Sequence, residues 1–291
     1  MNEPYSAADG LVRVYPARTN DDATDASAPV STSALVWAHG GGFAAGDLDM
    51  PEADWVARTL AARGITVVSI DYRLVGDGCR YPAPSDDVLA AWRWTLFNAD
   101  ELGIDPARVA IGGASAGANL VTGAMLRLLA EPVPAQLPAG VFLAYPTLLA
   151  VQPAPDAALR ALLDANPAAD RFDAANVRAM YEAYLGGPVD DAPLPAVPGR
   201  AAASDLADFP PVLMINDEAD ELRVSGEVFA ATLVEAGVPL ELVVERGTQH
   251  GHLNRPGEPA ASDSIERVVR WIGRLPTHHQ TTLRTTEGIT S

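Results

Sequence analysis

Short, continuously apolar runs alternate along this chain with amphipathic stretches of helical length. That alternation constrains the fold more than any other feature. The clearest run is "ITVVSI" at 65–70. It is β-branched or apolar at nearly every position, not at every second one, so the strand needs cover on both faces. Similar runs stand at 11–14 ("LVRV"), 34–38 ("ALVWA"), 108–113 ("RVAIGG"), 139–145 ("AGVFLAY"), 211–216 ("PVLMIN") and 240–244 ("LELVV").

The segments between them read as helices. Residues 50–64 carry Pro51 in a first turn, Val56 and Leu60 four apart, and Gly64 to end the helix. Ser85 is expected to cap a helix with Asp86 and Asp87 in its first turn and Val88, Trp92 and Leu96 on one face. An Ala-rich helix runs to about Leu129, another closes at Gly237, and a last one starts at Ser262 with Ile265, Val269 and Ile272 on one side. Repeated strand–helix units predict a mostly parallel central sheet with helices on both faces. In such sheets ligands sit at the carboxyl ends of the strands.

Two segments break the rhythm. Residues 147–209 are rich in Ala, Pro and Asp and hold two helical patterns, near 156–166 and 173–185. An interruption of that length between core strands predicts an inserted cap. Residues 276–291 are polar and are expected to be a disordered tail, and 16–33 reads as a loop. The expected organisation is therefore one domain over 1–275, with the cap inserted at about 147–209.

Composition narrows the partners. The formal net charge is −18, which opposes binding to nucleic acid or to anionic membrane surfaces. No apolar run approaches the 18 or so residues of a membrane span. The single cysteine, Cys79, allows no internal disulfide, and the N-terminus lacks the pattern of a signal peptide. A cytoplasmic protein is the expectation.

Two glycine-rich motifs lie at predicted strand ends. Gly113-Ala114-Ser115-Ala116-Gly117 is a G-x-S-x-G directly after one strand and directly before a helix. That turn pushes a serine hydroxyl out of the sheet, and a side chain at either flanking glycine would clash. His39-Gly40-Gly41-Gly42 follows the strand at 34–38. With five histidines and 24 glycines in 291 residues, chance yields on the order of 0.003 such matches. Bare backbone there lets amides meet the oxyanion of an acyl-transfer intermediate, where side chains would crowd the reacting carbon.

A nucleophilic serine needs a base, and the base needs a carboxylate. His250 and His252, in "GTQHGHLN", follow the last core strand, whereas His278 and His279 lie in the tail. Asp217, Glu218, Asp220 and Glu221 follow the strand at 211–216. Position alone leaves one of two histidines and one of four carboxylates to be chosen.

The segments "HGGGF" (39–43), "DYRL" (71–74), "GASAGANL" (113–120), "YLGG" (184–187), "DFPPVLM" (208–214), "EADELR" (218–223), "AGVPLEL" (236–242) and "HGH" (250–252) occur in the order of one family. The chain resembles the hormone-sensitive-lipase-like α/β-hydrolases, the bacterial family IV esterases. The resemblance implies the α/β-hydrolase fold and a Ser115–His250–Asp220 triad. It implies oxyanion donors at Gly41, Gly42 and Ala116, and a cap over the site. The family's Asp-Pro-Leu-Arg element aligns on Asp220-Glu221-Leu222-Arg223, and its His-Gly-Phe element on His250-Gly251-His252.

Three departures stand out. Ala114 replaces a polar residue of the elbow, His252 replaces phenylalanine, and the His39-Gly40-Gly41-Gly42 motif begins only 38 residues into the chain. The expected activity is hydrolysis of short-chain acyl esters, with a small-molecule substrate and no metal or organic cofactor. Phe43, Met180, Tyr184 and His252 are candidates for the substrate pocket. Amide hydrolysis or acyl transfer on the same triad, and a non-catalytic ligand receptor on the same scaffold, are the alternatives. The family includes monomers and homodimers, and the sequence does not choose between them.

Overall fold

The computed structural model describes residues 3–18 and 32–276. The predicted tail from 277 onward and most of the 16–33 loop lie outside the described residues. The elements, in chain order, are β1 (Tyr5–Ala7), β2 (Val12–Tyr15), β3 (Thr32–Ala38), α1 (Asp54–Ala61), β4 (Thr66–Ile70), α2 (Ala83–Phe97), α3 (Ala99–Leu102) and β5 (Ile104–Ala114). They continue with α4 (Ala116–Leu129), β6 (Val141–Ala144), α5 (Ala157–Ala165), α6 (Ala174–Leu185), β7 (Val212–Ala219), α7 (Arg223–Glu235), β8 (Leu240–Gln249) and α8 (Pro259–Arg274).

The eight strands form one sheet in the order β1-β2-β4-β3-β5-β6-β7-β8. β1 and β2 pair antiparallel, β2 meets β4 antiparallel, and the other pairs are parallel. The alternation of strand side chains explains the two layers of core. On β3, Ala34, Val36 and Ala38 face a cluster with Val88 and Trp92 of α2, Leu120 and Val121 of α4, and Phe229 of α7. Leu35 and Trp37 face the opposite cluster, with Val56 and Leu60 of α1 and Ile265 and Val268 of α8. Trp37 stacks on Phe142 of β6 at 5.3 Å between ring centroids.

Several boundaries differ from the sequence reading. Ser85 does not cap α2: the helix begins at Ala83, and the buried Ser85 hydroxyl accepts from Arg127 Nη1 at 2.8 Å. The proline pair Pro82 and Pro84 suits a helix's first turn, which moves the start upstream. α8 likewise begins at Pro259, with Val268 fully buried in the core and Val269 packed, partly buried, against the same cluster. By contrast, Asp156 and Asp173 cap α5 and α6 by accepting from backbone N–H groups of the first turn. Both helices belong to the connection from β6 to β7. No helix among the described residues is long and apolar enough to cross a membrane.

Candidate active site

β5 ends at Ala114, and α4 begins at Ala116. Ser115 between them has φ 52° and ψ −116°, a strained backbone for a residue with a side chain. The strain persists because the flanks are packed tightly. A Cβ on Gly113 would collide with the Gly117 carbonyl group, and a Cβ on Gly117 would collide with the Ala38 and His39 carbonyl oxygens. Only glycine fits at either position, so α4 closes directly onto the end of β3.

The Ser115 hydroxyl lies 2.9 Å from His250 Nε2. His250 Nδ1 lies 2.7 Å from Asp220 Oδ2. A carboxylate only accepts, so Nδ1 carries the proton and Nε2 is free to receive the one from Ser115. The second Asp220 oxygen accepts from Leu222 N–H at 3.0 Å. All three side chains are buried. The structure thus brings together Ser115, His250 and Asp220, while Asp217 contacts His252 instead. Glu218 accepts from Gly247 N–H, and Glu221 accepts from Phe172 N–H.

The His250 pKa is raised above its ordinary value. Burial acts to lower it, but the charge of Asp220, the hydrogen bond to it, and the charges of Asp217 and Glu52 together outweigh burial. Phe172 and Tyr145 meet the imidazole edge-on, at 4.6 and 5.1 Å between centroids.

Gly41 and Gly42 have φ of +124° and +60°, values that favour glycine. A Cβ on Gly41 would strike the Ala45 carbonyl group. Among the described residues, no acceptor meets the N–H groups of Gly41, Gly42 or Ala116. The preceding amide is occupied: Gly40 N–H donates to Glu52 Oε2 at 2.5 Å. Glu52 Oε1 accepts from the Tyr145 hydroxyl at 2.6 Å and from Asn254 Nδ2 at 2.9 Å. Burial and the Glu52 charge push the Tyr145 phenol well up, so it stays a donor. The His39 ring stacks on Tyr72 at 4.5 Å. These contacts hold the glycine loop from below.

A cavity of about 480 Å³ opens over Ser115. Gly42, Met50, Arg171, Phe172 and Met180 line it together with Glu52 and His250. Of the four pocket candidates, Met180 reaches this wall and three do not. Phe43 and Tyr184 are fully buried and stack on each other at 4.1 Å, behind the wall. His252 is also fully buried and points away from the cavity, toward Asp217 and Ser264. The apolar interior under α6 competes for the two aromatic rings and wins them from the pocket.

Arg171, Phe172, Glu52 and Tyr145 escaped the sequence reading because none lies in a recognisable motif. Tyr181 of α6 ties the layers together. Its hydroxyl accepts from Asn119 Nδ2 of α4 at 2.8 Å and donates to the Thr147 carbonyl at 3.0 Å.

Comparison with known proteins matches residues 35–254 to a family described as having the alpha/beta hydrolase fold. The chain is 37% identical over 245 residues to the carboxylesterase NlhH of Mycobacterium tuberculosis, covering 82% of this chain and 73% of the relative. It is 33% identical over 277 residues to an ethyl acetate hydrolase of Pseudomonas putida, covering 92% and 78%. Among solved structures, carboxyl esterase 2 of the fungus Tuber melanosporum superposes with a TM-score of 0.76 at 25% identity, covering 95% of this chain and 87% of that one.

Proposed function

The chain belongs to the hormone-sensitive-lipase-like α/β-hydrolases and is a carboxylic ester hydrolase, and on that premise we propose that Ser115, His250 and Asp220 are its catalytic triad. The observation that carries this reading is the continuous relay from the Ser115 hydroxyl through His250 to Asp220, at 2.9 and 2.7 Å, beneath a cavity rimmed by unpaired amides.

His250 Nε2 takes the Ser115 proton as the oxygen attacks the ester carbonyl. Asp220 holds the imidazole in the correct tautomer and stabilises its cation. The carbonyl oxygen becomes an oxyanion facing the N–H groups of Gly41, Gly42 and Ala116. His250 then gives the proton to the departing alkoxide, leaving Ser115 acylated. Water enters, loses a proton to His250 and attacks the acyl carbon. Collapse returns the proton to Ser115 and releases the carboxylic acid.

Residues 147–209 serve as the cap of the 1–275 domain: Arg171, Phe172 and Met180 all come from that connection. The substrate is a small ester with a short acyl chain. A cavity of about 480 Å³ sits in the lower half of the range for small-molecule sites, about 300–1,000 Å³. The test is Ser115→Ala with p-nitrophenyl acetate and butyrate. Turnover should fall by several orders of magnitude, and wild-type rates in this variant would sink the proposal.

A further inference from the structure

Behind the triad lies a second chain of polar groups that the proposed reaction does not use. His252 Nδ1 lies 2.5 Å from Asp217 Oδ1, and His252 Nε2 lies 2.9 Å from Ser264 Oγ. The Ser264 hydroxyl in turn lies 3.2 Å from Glu245 Oε2. Asp217, His252 and Ser264 are all fully buried. The second Asp217 oxygen has no hydrogen-bond partner among the described residues. His252 stands where the resembling family has phenylalanine, so an apolar ring has been exchanged for an ionisable one.

Two proton arrangements fit these contacts. Asp217 accepts only, so His252 Nδ1 donates to it. The Ser264 proton goes either to the Glu245 carboxylate, so that Oγ accepts from His252 Nε2 and both ring nitrogens carry hydrogen, or to Nε2, so that the ring is neutral and Glu245 loses that donor. Charge favours the first. An oxygen of Asp217, one of Asp220 and a ring nitrogen of His250 all lie within 4.8 Å of one another. Glu52 adds a further negative charge to the same site. A buried carboxylate in such company is costly unless a cation pairs with it.

We propose that His252 is a buried imidazolium, paired with Asp217, and that it acts as a positioning residue which neutralises the Asp217 charge behind the catalytic base. The role rests on the triad reading, because His250 is the group affected. Tyr145 lies against both imidazoles, at 5.1 and 5.3 Å between centroids, and keeps them apart. The groups facing His252 are Asp217 of β7, Glu245 of β8, Ser264 of α8 and Tyr145. Arg267 of α8 approaches Glu245 at 4.0 Å. The groups facing His250 are Ser115, Asp220, Asp217 and Glu52, while Arg171 donates to its backbone carbonyl at 3.3 Å.

Removal of the cation leaves Asp217 uncompensated beside His250, and the base then holds its proton more tightly. His252→Phe should therefore move the acid limb of the kcat/KM profile upward, by about one pH unit or more. His252→Phe with Asp217→Asn should return the limb to its wild-type position. A merely structural role for His252 would lower the amount of active protein without moving the limb, so the readout does not depend on how much of the variant folds. The protonation itself is read from ¹⁵N resonances of histidine-labelled wild-type protein. Two protonated ring nitrogens on His252 at pH 7 support the proposal, and one unprotonated nitrogen overturns it. An unmoved limb in His252→Phe, or a shift that the second substitution leaves in place, overturns the coupling to His250. Failure of the triad reading is seen separately, as activity surviving Ser115→Ala, and the nitrogen resonances still decide the state of His252.

Discussion

Asp220→Asn exchanges one oxygen for an amine and leaves the volume almost unchanged, yet the site has no good place for that amine. In the native protein one Asp220 oxygen receives His250 Nδ1–H at 2.7 Å, and the other receives Leu222 N–H at 3.0 Å. Asparagine keeps one acceptor. If its oxygen faces His250, its amine meets the Leu222 N–H, and a buried donor is stranded at about 1–3 kcal/mol. If its oxygen stays with Leu222, its amine faces Nδ1 and forces the proton onto Nε2. That tautomer cannot accept the Ser115 proton. The backbone bond favours the second orientation, so catalysis carries the loss. The expected fall in kcat is about 10⁴-fold, or about 5.4 kcal/mol of transition-state stabilisation. The assay is the p-nitrophenyl butyrate rate at pH 7.5, with urea unfolding in parallel to confirm that the fold survives. A variant within tenfold of wild type would refute the reasoning, and so would Asp217→Asn proving the more damaging substitution.

Three further outcomes follow from the same geometry. Imidazolium cannot accept a proton and the His250 pKa is raised, so kcat/KM should fall as the pH drops, with its half-point above the ordinary imidazole value of about 6.5. A half-point below that value would contradict the charge environment described. Glu52→Gln replaces two acceptor oxygens by one and strands either Gly40 N–H or the Tyr145 and Asn254 donors. The urea midpoint should report a loss of about 1–3 kcal/mol. Its kcat should fall by less than the 10²–10³-fold that removal of an oxyanion donor typically costs. Tyr181→Phe should cost about 1–3 kcal/mol, because Asn119 Nδ2 and the Thr147 carbonyl lose their shared partner, with KM responding more than kcat.

The frame was legible because its constraints are local. Continuous β-branched runs, helical periodicities and two glycine motifs at strand ends each state their structure within a few residues. The strand–helix alternation and the helices α5 and α6 follow from such signals. What escaped depends on distant contacts. Four carboxylates stand within five positions at the end of β7 and just beyond it, and which of them meets His250 is set by how the strand end and the following turn are packed. Phe43 and Tyr184 sit close to the site in sequence terms, but the interior under α6 takes both rings. Glu52 belongs to no motif, and its role is visible only once Gly40, Tyr145 and Asn254 converge on it. Ser85 carried a good capping signal and lost to the prolines upstream of it.

The Tyr181 hydroxyl has a consequence for traffic. It bolts α6 to α4, the helix that begins immediately after the nucleophile. Swinging α6 aside would strand Asn119 Nδ2 and the Thr147 carbonyl away from water. The opposite wall is held as well, since Phe172 N–H donates to the buried Glu221 carboxylate and Arg171 to the His250 carbonyl. Both sides of the chamber are thus bonded to the frame that carries Ser115 and His250, and any change in its width breaks a hydrogen bond on the side that moves.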